Sequence, residues 1–333
     1  MNKIILALSI FFAMGLQTTL AQGGFDIWML DTKGKGRKFK VLPETAKPLT
    51  NRPEYDNQPN FINDFQLVFS AADENGNHDI IVYNFKTEKF TNLSKTADRS
   101  EFSPTLTDCG LYVSAVVMEP DSTQRLWLYP TNFGEPELLY DDIAPVGYYD
   151  WYDNKAAMFI LGDPNKLVYA RGKGDLLEID NHIGRAIKRR PKTSQISYLS
   201  MKSPNETEHG LELPIRTYDL LNGKTEVLGF GLAGALDFIW QDHHYLLMAQ
   251  GNNIYHKKSN HSEWEFLGTI QSDSHQNITR IAYSPDLKKT GSSHAAQITP
   301  KIYANEFQMF AYPYSTALIL FFRYWPKSRI NAE

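Results

Sequence analysis

An aspartate followed by an apolar strand recurs at Asp64, Asp108, Asp153, Asp242 and Asp286, at intervals of 44, 45, 89 and 44 residues. The 89-residue interval holds two repeats. The intervening copy falls near residue 197, where Gln195-Ile-Ser-Tyr-Leu199 keeps the strand but Thr193-Ser194 replaces the aspartate turn. Two residues before the aspartates stand Ile62, Leu106, Trp151, Trp240 and Ser284; three and five residues after them stand Leu67 and Phe69, Leu111 and Val113, Ala156 and Met158, Tyr245 and Leu247. Six copies of one short unit follow, each too small to bury its apolar face alone and therefore packed on its neighbours.

The unit is made of strands. Asn75-Gly76 and Asn222-Gly223 supply residues that tolerate the positive φ of tight hairpins, and no long helical period appears. The first copy reads as strands at 58–62, Gln66–Ala71, His78–Asn84 and Lys89–Leu93. Four antiparallel strands per repeat make a propeller blade. Consecutive apolar residues in the second strands (Leu67-Val68-Phe69, Leu111-Tyr112-Val113, Leu246-Leu247-Met248) fit sheets covered on both faces. The expected fold is all-β: a six-bladed propeller of four-stranded antiparallel blades at 53–97, 98–141, 142–184, 185–229, 230–271 and from 272 onward. The sixth copy is incomplete. Phe25–Asp31 resembles the third-strand segments and Ala46–Asn51 a fourth-strand segment, so the N-terminal strands are expected to close the ring.

The stretches "FSPTLTDCGLYVSA" (Glu101 precedes it) and "IAYSPD", each with an aromatic or apolar residue before Ser-Pro and an aspartate turn after, resemble the repeats of TolB-like six-bladed propellers over roughly residues 25–290. The resemblance implies an envelope-associated role in assembly or transport. A separate N-terminal domain like that of TolB is not expected from the residues ahead of the first strand, and the Ser-Pro-Asp-Gly turn is only partial, with Pro59-Asn60-Phe61 and Tyr149-Asp150-Trp151 at the matching places.

After Asp286 the pattern fails, because Lys289 and Gly291 stand where a second strand needs apolar residues. Residues 291–333 therefore read as an atypical C-terminal tail. Thr316–Phe322 is too short for a membrane span and reads either as an added packing element or as part of an irregular terminus. Residues 1–21 read as a signal peptide: Lys3, an apolar run from Ile4 to Leu16, and small residues at Thr19 and Ala21 before cleavage. The mature propeller is expected over 22–290, periplasmic or secreted, monomeric and without a transmembrane span.

Removing Lys3 with the leader leaves 33 basic against 38 acidic residues, a surface unsuited to nucleic acid. The single cysteine, Cys109, excludes an internal disulfide and a cysteine-built zinc site. Gly229-Phe-Gly231-Leu-Ala-Gly234 matches a dinucleotide fingerprint in letters alone, since it leads into a strand and not a helix. No G-x-S-x-G elbow and no H-E-x-x-H pair is present. His243-His244 sits in a turn where successive side chains diverge, and Asp141-Asp142 reads as a solvated loop. No catalytic residue, metal ligand or cofactor is expected. The basic run Lys188–Lys192 reads as a solvated connection, with attraction of an acidic surface as the alternative. Trp151 and Trp240 belong to the packing column. Tyr149 and Asp237 fall outside it and are the ligand-binding candidates. The expected function is a noncatalytic scaffold binding an envelope protein, peptide or glycan; the alternative is an exported hydrolase or lyase acting on peptide or saccharide at the propeller mouth.

Overall fold

The computed structural model describes residues 24–261, 263–272, 275–284 and 316–324. The signal-peptide reading of residues 1–21 lies outside them. Among the described residues no helix is long and apolar enough to cross a membrane.

Five four-stranded antiparallel blades follow one another along the chain. The first runs through Asp56–Asn63, Gln66–Ala72, His78–Asn84 and Lys89–Asn92. The second uses Ser100–Leu106, Tyr112–Met118, Gln124–Pro130 and Glu137–Leu138. The third uses Val146–Tyr152, Lys155–Ile160, Lys166–Gly172 and Asp175–Asn181. The fourth is Ile183–Arg189, Gln195–Ser200, Pro214–Asp219 and Thr225–Phe230, with a hairpin of Asn205–Thr207 and Gly210–Glu212 inserted between its second and third strands. The fifth is Phe238–Trp240, Tyr245–Gln250, Asn253–Lys258 and Glu265–Thr269.

The expected six-bladed TolB-like ring is corrected by this topology: the propeller has five blades, not six. What stands between the fifth blade and the first is a composite sheet, ordered Lys40–Pro48, Phe25–Lys33, Thr316–Tyr324, His275–Ser284. The physical reason is the loss of pattern after Asp286. A propeller blade needs a second strand apolar on both faces directly after its inner strand, and Lys289 and Gly291 break that requirement. The strand beside His275–Ser284 is instead Thr316–Tyr324, from the segment that read as an atypical tail, and Phe25–Lys33 pairs with its other edge.

Burial follows the two-faced pattern of the second strands. Leu67, Val68, Val113, Ala115, Met158, Leu246 and Met248 are almost entirely covered. Successive blades are joined by apolar clusters drawn from facing sheets, such as Val68, Ile80 and Val82 against Val113, Val117 and Tyr129. The composite sheet is held in the same way: Leu30, Phe39 and Val41 pack with Leu247 and Ile254 of the fifth blade, while Ile27 packs with Leu67 and Phe69 of the first.

A serine at the centre of three second strands adds a polar tie across blade boundaries. Ser70 Oγ donates to the Glu101 carbonyl at 2.6 Å. Trp151 Nε1 donates to Ser114 Oγ at 2.9 Å, and Trp240 Nε1 to Ser197 Oγ at 2.8 Å. Each of these serines is fully buried, so each hydroxyl needs its partner. Ser70→Ala is expected to cost about 1 kcal/mol in urea unfolding, the usual net value of one buried hydrogen bond; an unchanged midpoint would remove the tie from the account.

Candidate functional site

The inner strands surround an axial channel. Its waist, about 50 Å³, is walled by residues from the inner strands of the first four blades and the composite sheet, among them Asn60, Pro104, Tyr148, Lys188 and Arg280, and by Asp237 just ahead of the fifth blade. It opens at the beginnings of the inner strands into a mouth of about 480 Å³, and at their far ends into one of about 330 Å³.

The larger mouth lies among the connectors between blades. Arg185, Asp237, Thr279 and Arg280 converge there, with His209 at the tip of the inserted hairpin and Gln250 and Asn277 on the rim. Arg280 Nη1 lies 3.4 Å from Asp237 Oδ1, and both side chains are nearly covered, at 12% and 5% exposure. The other oxygen of Asp237 accepts the Ile281 N–H at 3.3 Å. Arg280 also stands over the Tyr148 ring, 5.1 Å from its centroid. Arg185 donates from Nη2 to the Thr279 carbonyl at 2.9 Å. Its Nε and the Thr279 hydroxyl are buried without a hydrogen-bond partner among the described residues.

One carboxylate thus stands against two guanidiniums: it pairs with Arg280 and acts on Arg185 only through its charge. Desolvation, and then the charge of Arg280, push the Arg185 pKa below its ordinary value, which is the behaviour of a cation short of negative partners. Tyr55, close enough to sense both arginines, is pushed up to about 12 by its own burial and stays a neutral phenol. The mouth therefore carries an excess positive charge and unused donors in a concave, partly desolvated place. An anion with several acceptor oxygens satisfies both.

The narrower mouth is internally balanced. Asp150 accepts N–H bonds from Trp151 at 2.7 Å and Arg189 at 2.6 Å, and Arg189 pairs with Asp108 at 2.7 Å. Desolvation raises the Asp150 pKa, opposed chiefly by Lys188.

The two sequence candidates part company here. Asp237 sits in the larger mouth and orients Arg280. Tyr149 contributes ring surface to the channel, but it is 6% exposed and packs in the cluster around Trp151 and Met158. Its hydroxyl lies 2.9 Å from both the Ser103 carbonyl and Ser114 Oγ. Sequence reasoning missed Arg185 and Arg280. A signal was there for Arg280: it precedes Asp286 by six residues, much as Asp237 precedes Asp242 by five, although Arg280 lies within the inner strand His275–Ser284 and Asp237 just ahead of Phe238–Trp240.

The basic run Lys188–Lys192 is divided among separate tasks: Arg190 lies over the Trp240 ring at 4.9 Å and donates to the His243 carbonyl. The glycine motif closes a connection, with Gly231 N–H donating to Leu213 O and Gly234 N–H to Leu211 O, so those donors are not free for a phosphate. Asp141 and Asp142 are exposed, as is Cys109. Among the described residues no group of three or more His, Cys, Asp or Glu is placed to hold a metal.

Comparison with solved structures places the chain among β-propellers related in shape to TolB-like proteins. The putative TolB from Agrobacterium tumefaciens superimposes with a TM-score of 0.55 at 9% identity, covering 73% of this chain and 88% of that one. The Nidogen/Laminin complex gives a TM-score of 0.55 at 12% identity, covering 73% and 93%. An oligogalacturonate lyase in complex with manganese reaches only 0.45 at 11% identity, covering 76% and 88%, too low to carry an argument. No protein-family model and no curated protein matches the chain.

Proposed function

We propose that the chain is a noncatalytic binding module, working in the periplasm or as a secreted protein, that holds an acidic group of a protein, peptide or glycan in the larger axial mouth. The observation that carries this reading is the convergence of Arg185 and Arg280 on one mouth where the one carboxylate, Asp237, pairs with Arg280, beside buried donors of Arg185 and Thr279 without hydrogen-bond partners among the described residues. In this reading Arg185 and Arg280 bind the anion, and Asp237 positions Arg280. Tyr149 serves as wall. The apolar-rich scaffold keeps these groups fixed before the ligand arrives, which reduces the entropy lost on binding. The similarity in shape to a propeller from the Nidogen/Laminin complex supports a role in protein binding, although fold by itself does not assign function. The leader-like residues 1–21 support export.

Isothermal titration with a panel of acidic peptides and uronate oligosaccharides, each beside its amidated or esterified counterpart, tests this reading. The free acids are expected to bind and the neutral forms not, with affinity falling as salt is raised. Arg280→Gln is expected to weaken binding about tenfold or more, the loss of one charge-assisted hydrogen bond. Equal binding of acid and neutral forms would overturn the assignment. The hydrolase or lyase reading predicts product in the same samples.

A further inference from the structure

On the flank of the ring, away from the axis, a second cavity of about 460 Å³ lies between the first blade and the composite sheet. Its floor is one face of the first blade. The cross-strand pairs Phe69 with Ile81, Ala71 with Asp79 and Ile81 with Asn92 put these side chains on the same side of the sheet. The opposite face, with Val68, Ile80 and Val82, is packed on the second blade. Leu49 and the connector through Arg52 form the facing wall. Ala71 and Ala72 are too small to fill the gap, and Phe90, standing edge-on to Phe69 at 6.2 Å, stays 49% exposed.

The apolar walls end in carboxylates. Asp56, Asp73 and Asp79 line the cavity with one cation, Arg52, and Arg52 is engaged by Asp56 through its Nε at 2.8 Å. Asp79 accepts from Ser94 Oγ at 2.7 Å, Asn92 Nδ2 at 2.8 Å and Thr96 N at 3.0 Å. Asp73 accepts from the backbone N–H of Asn75 at 2.8 Å and Asn77 at 2.9 Å. Neutral donors orient both carboxylates, and neither forms a salt bridge to a cation among the described residues. Three carboxylates against one guanidinium leave this end of the cavity negative, the reverse of the axial mouth.

We infer that the cavity binds a small amphiphilic ammonium ion, a primary amine on an aromatic or branched alkyl body. The body covers Phe69, Ile81 and the exposed face of Phe90; the ammonium group donates to Asp79 and Asp73 and is attracted to the aromatic ring. The volume suits a ligand of that class. This inference is independent of the axial site.

Phenethylamine is the probe, with 3-phenylpropionate and 2-phenylethanol as charge controls, titrated into the full chain by calorimetry and checked by saturation-transfer NMR. The amine is expected to bind saturably at one site, at least tenfold tighter than either control. Phe90→Ala and Asp79→Asn are each expected to weaken it at least fivefold. Asp79 also orders the segment around Thr96, so thermal melting accompanies that variant. If Asp79→Asn does not fold, the half-exposed Phe90→Ala and the amine-to-carboxylate ratio in the unmodified protein decide. Binding of all three compounds alike, or unaltered binding by Phe90→Ala, would overturn the inference. So would binding of a lysine-containing peptide but no free amine, which would assign the face to a protein partner.

Discussion

Replacing Trp151 by alanine is expected to lower the free energy of unfolding by about 3–5 kcal/mol, in the range of large-to-small changes at buried aromatic positions. The indole is 3% exposed and packs with Val116, Leu126, Ala156 and Met158, residues drawn from the second and third blades. Its truncation removes that surface from both sides of the boundary at once. The change also withdraws the donor 2.9 Å from Ser114 Oγ. Ser114 itself donates to the Thr105 carbonyl at 2.8 Å, so its tie to the inner strand of its own blade is retained. Trp151→Phe separates the two parts: it keeps most of the apolar surface and loses the indole N–H, for an expected cost nearer to 1 kcal/mol beyond any repacking. Urea unfolding of the three proteins measures this. A loss below about 1 kcal/mol for the alanine variant would show that the indole is not part of the blade packing.

The second large effect is a dependence of stability on pH that traces to Glu101. This residue is completely buried between the first and second blades. Its carboxyl oxygens lie 2.8 Å from the Tyr129 hydroxyl and 2.8 and 2.9 Å from the Thr96 hydroxyl. Desolvation dominates these hydrogen bonds and pushes its pKa up from 4.5 to about 7. The folded protein therefore holds the proton more tightly than the unfolded chain. The favourable contribution is complete below pH 4.5 and is lost as pH rises through about 7. That interval corresponds to roughly 3 kcal/mol. Burial also raises Asp56 and Asp150 and lowers the pKa of His78, so the Glu101 part is isolated by difference. Glu101→Gln keeps the shape and hydrogen-bonding capacity of the protonated acid without the titration. Unfolding free energies at pH 4.5 and 8 are expected to diverge between the two proteins by roughly 3 kcal/mol, with the variant gaining at the higher pH. Parallel pH profiles would contradict the assignment of the proton to this side chain.

The blades were legible because their causes are local. A second strand covered on both faces must be apolar at consecutive positions, as Leu246-Leu247-Met248 is, and a turn with positive φ favours glycine, as at Gly76 and Gly223. The same reasoning put Trp151 and Trp240 in the packing column, where burial of 3% and 7% exposure finds them. The composite sheet was legible only in part: the N-terminal strands were expected to close the ring, and Phe25–Lys33 and Lys40–Pro48 are the outer strands there, but the strand between them and His275–Ser284 was not foreseen. Phe25–Lys33 pairs with Thr316–Tyr324, and an edge shared by the two ends of a chain leaves no mark in the periodicity of either. The sequence pattern counted the inner strand His275–Ser284 as the start of a sixth blade, whereas the composite sheet takes its next strand from far along the chain.

The site was half legible for a related reason. Asp237 stood out because it departs from the apolar column, but departure alone does not distinguish a channel residue from a residue whose polar atom is satisfied inside a blade. Tyr149 departs in the same way, yet its hydroxyl bonds to neighbouring polar atoms and its ring fills the second-to-third blade boundary. Arg185 and Arg280 come from different sheets and acquire meaning only when ring closure brings them to one mouth. The excess charge that they create is a property of the assembly and not of either segment.

The most direct measurement of the central claim is equilibrium dialysis of the pure chain with an acidic ligand selected from the peptide and uronate panel, followed by mass spectrometry of the ligand in both chambers. The account predicts that the ligand accumulates with the protein and is recovered chemically intact, and that Arg280→Gln weakens its affinity about tenfold or more. Steady conversion of the ligand in proportion to protein, lost in Arg280→Gln, would contradict a binding role and make the axial mouth an active site.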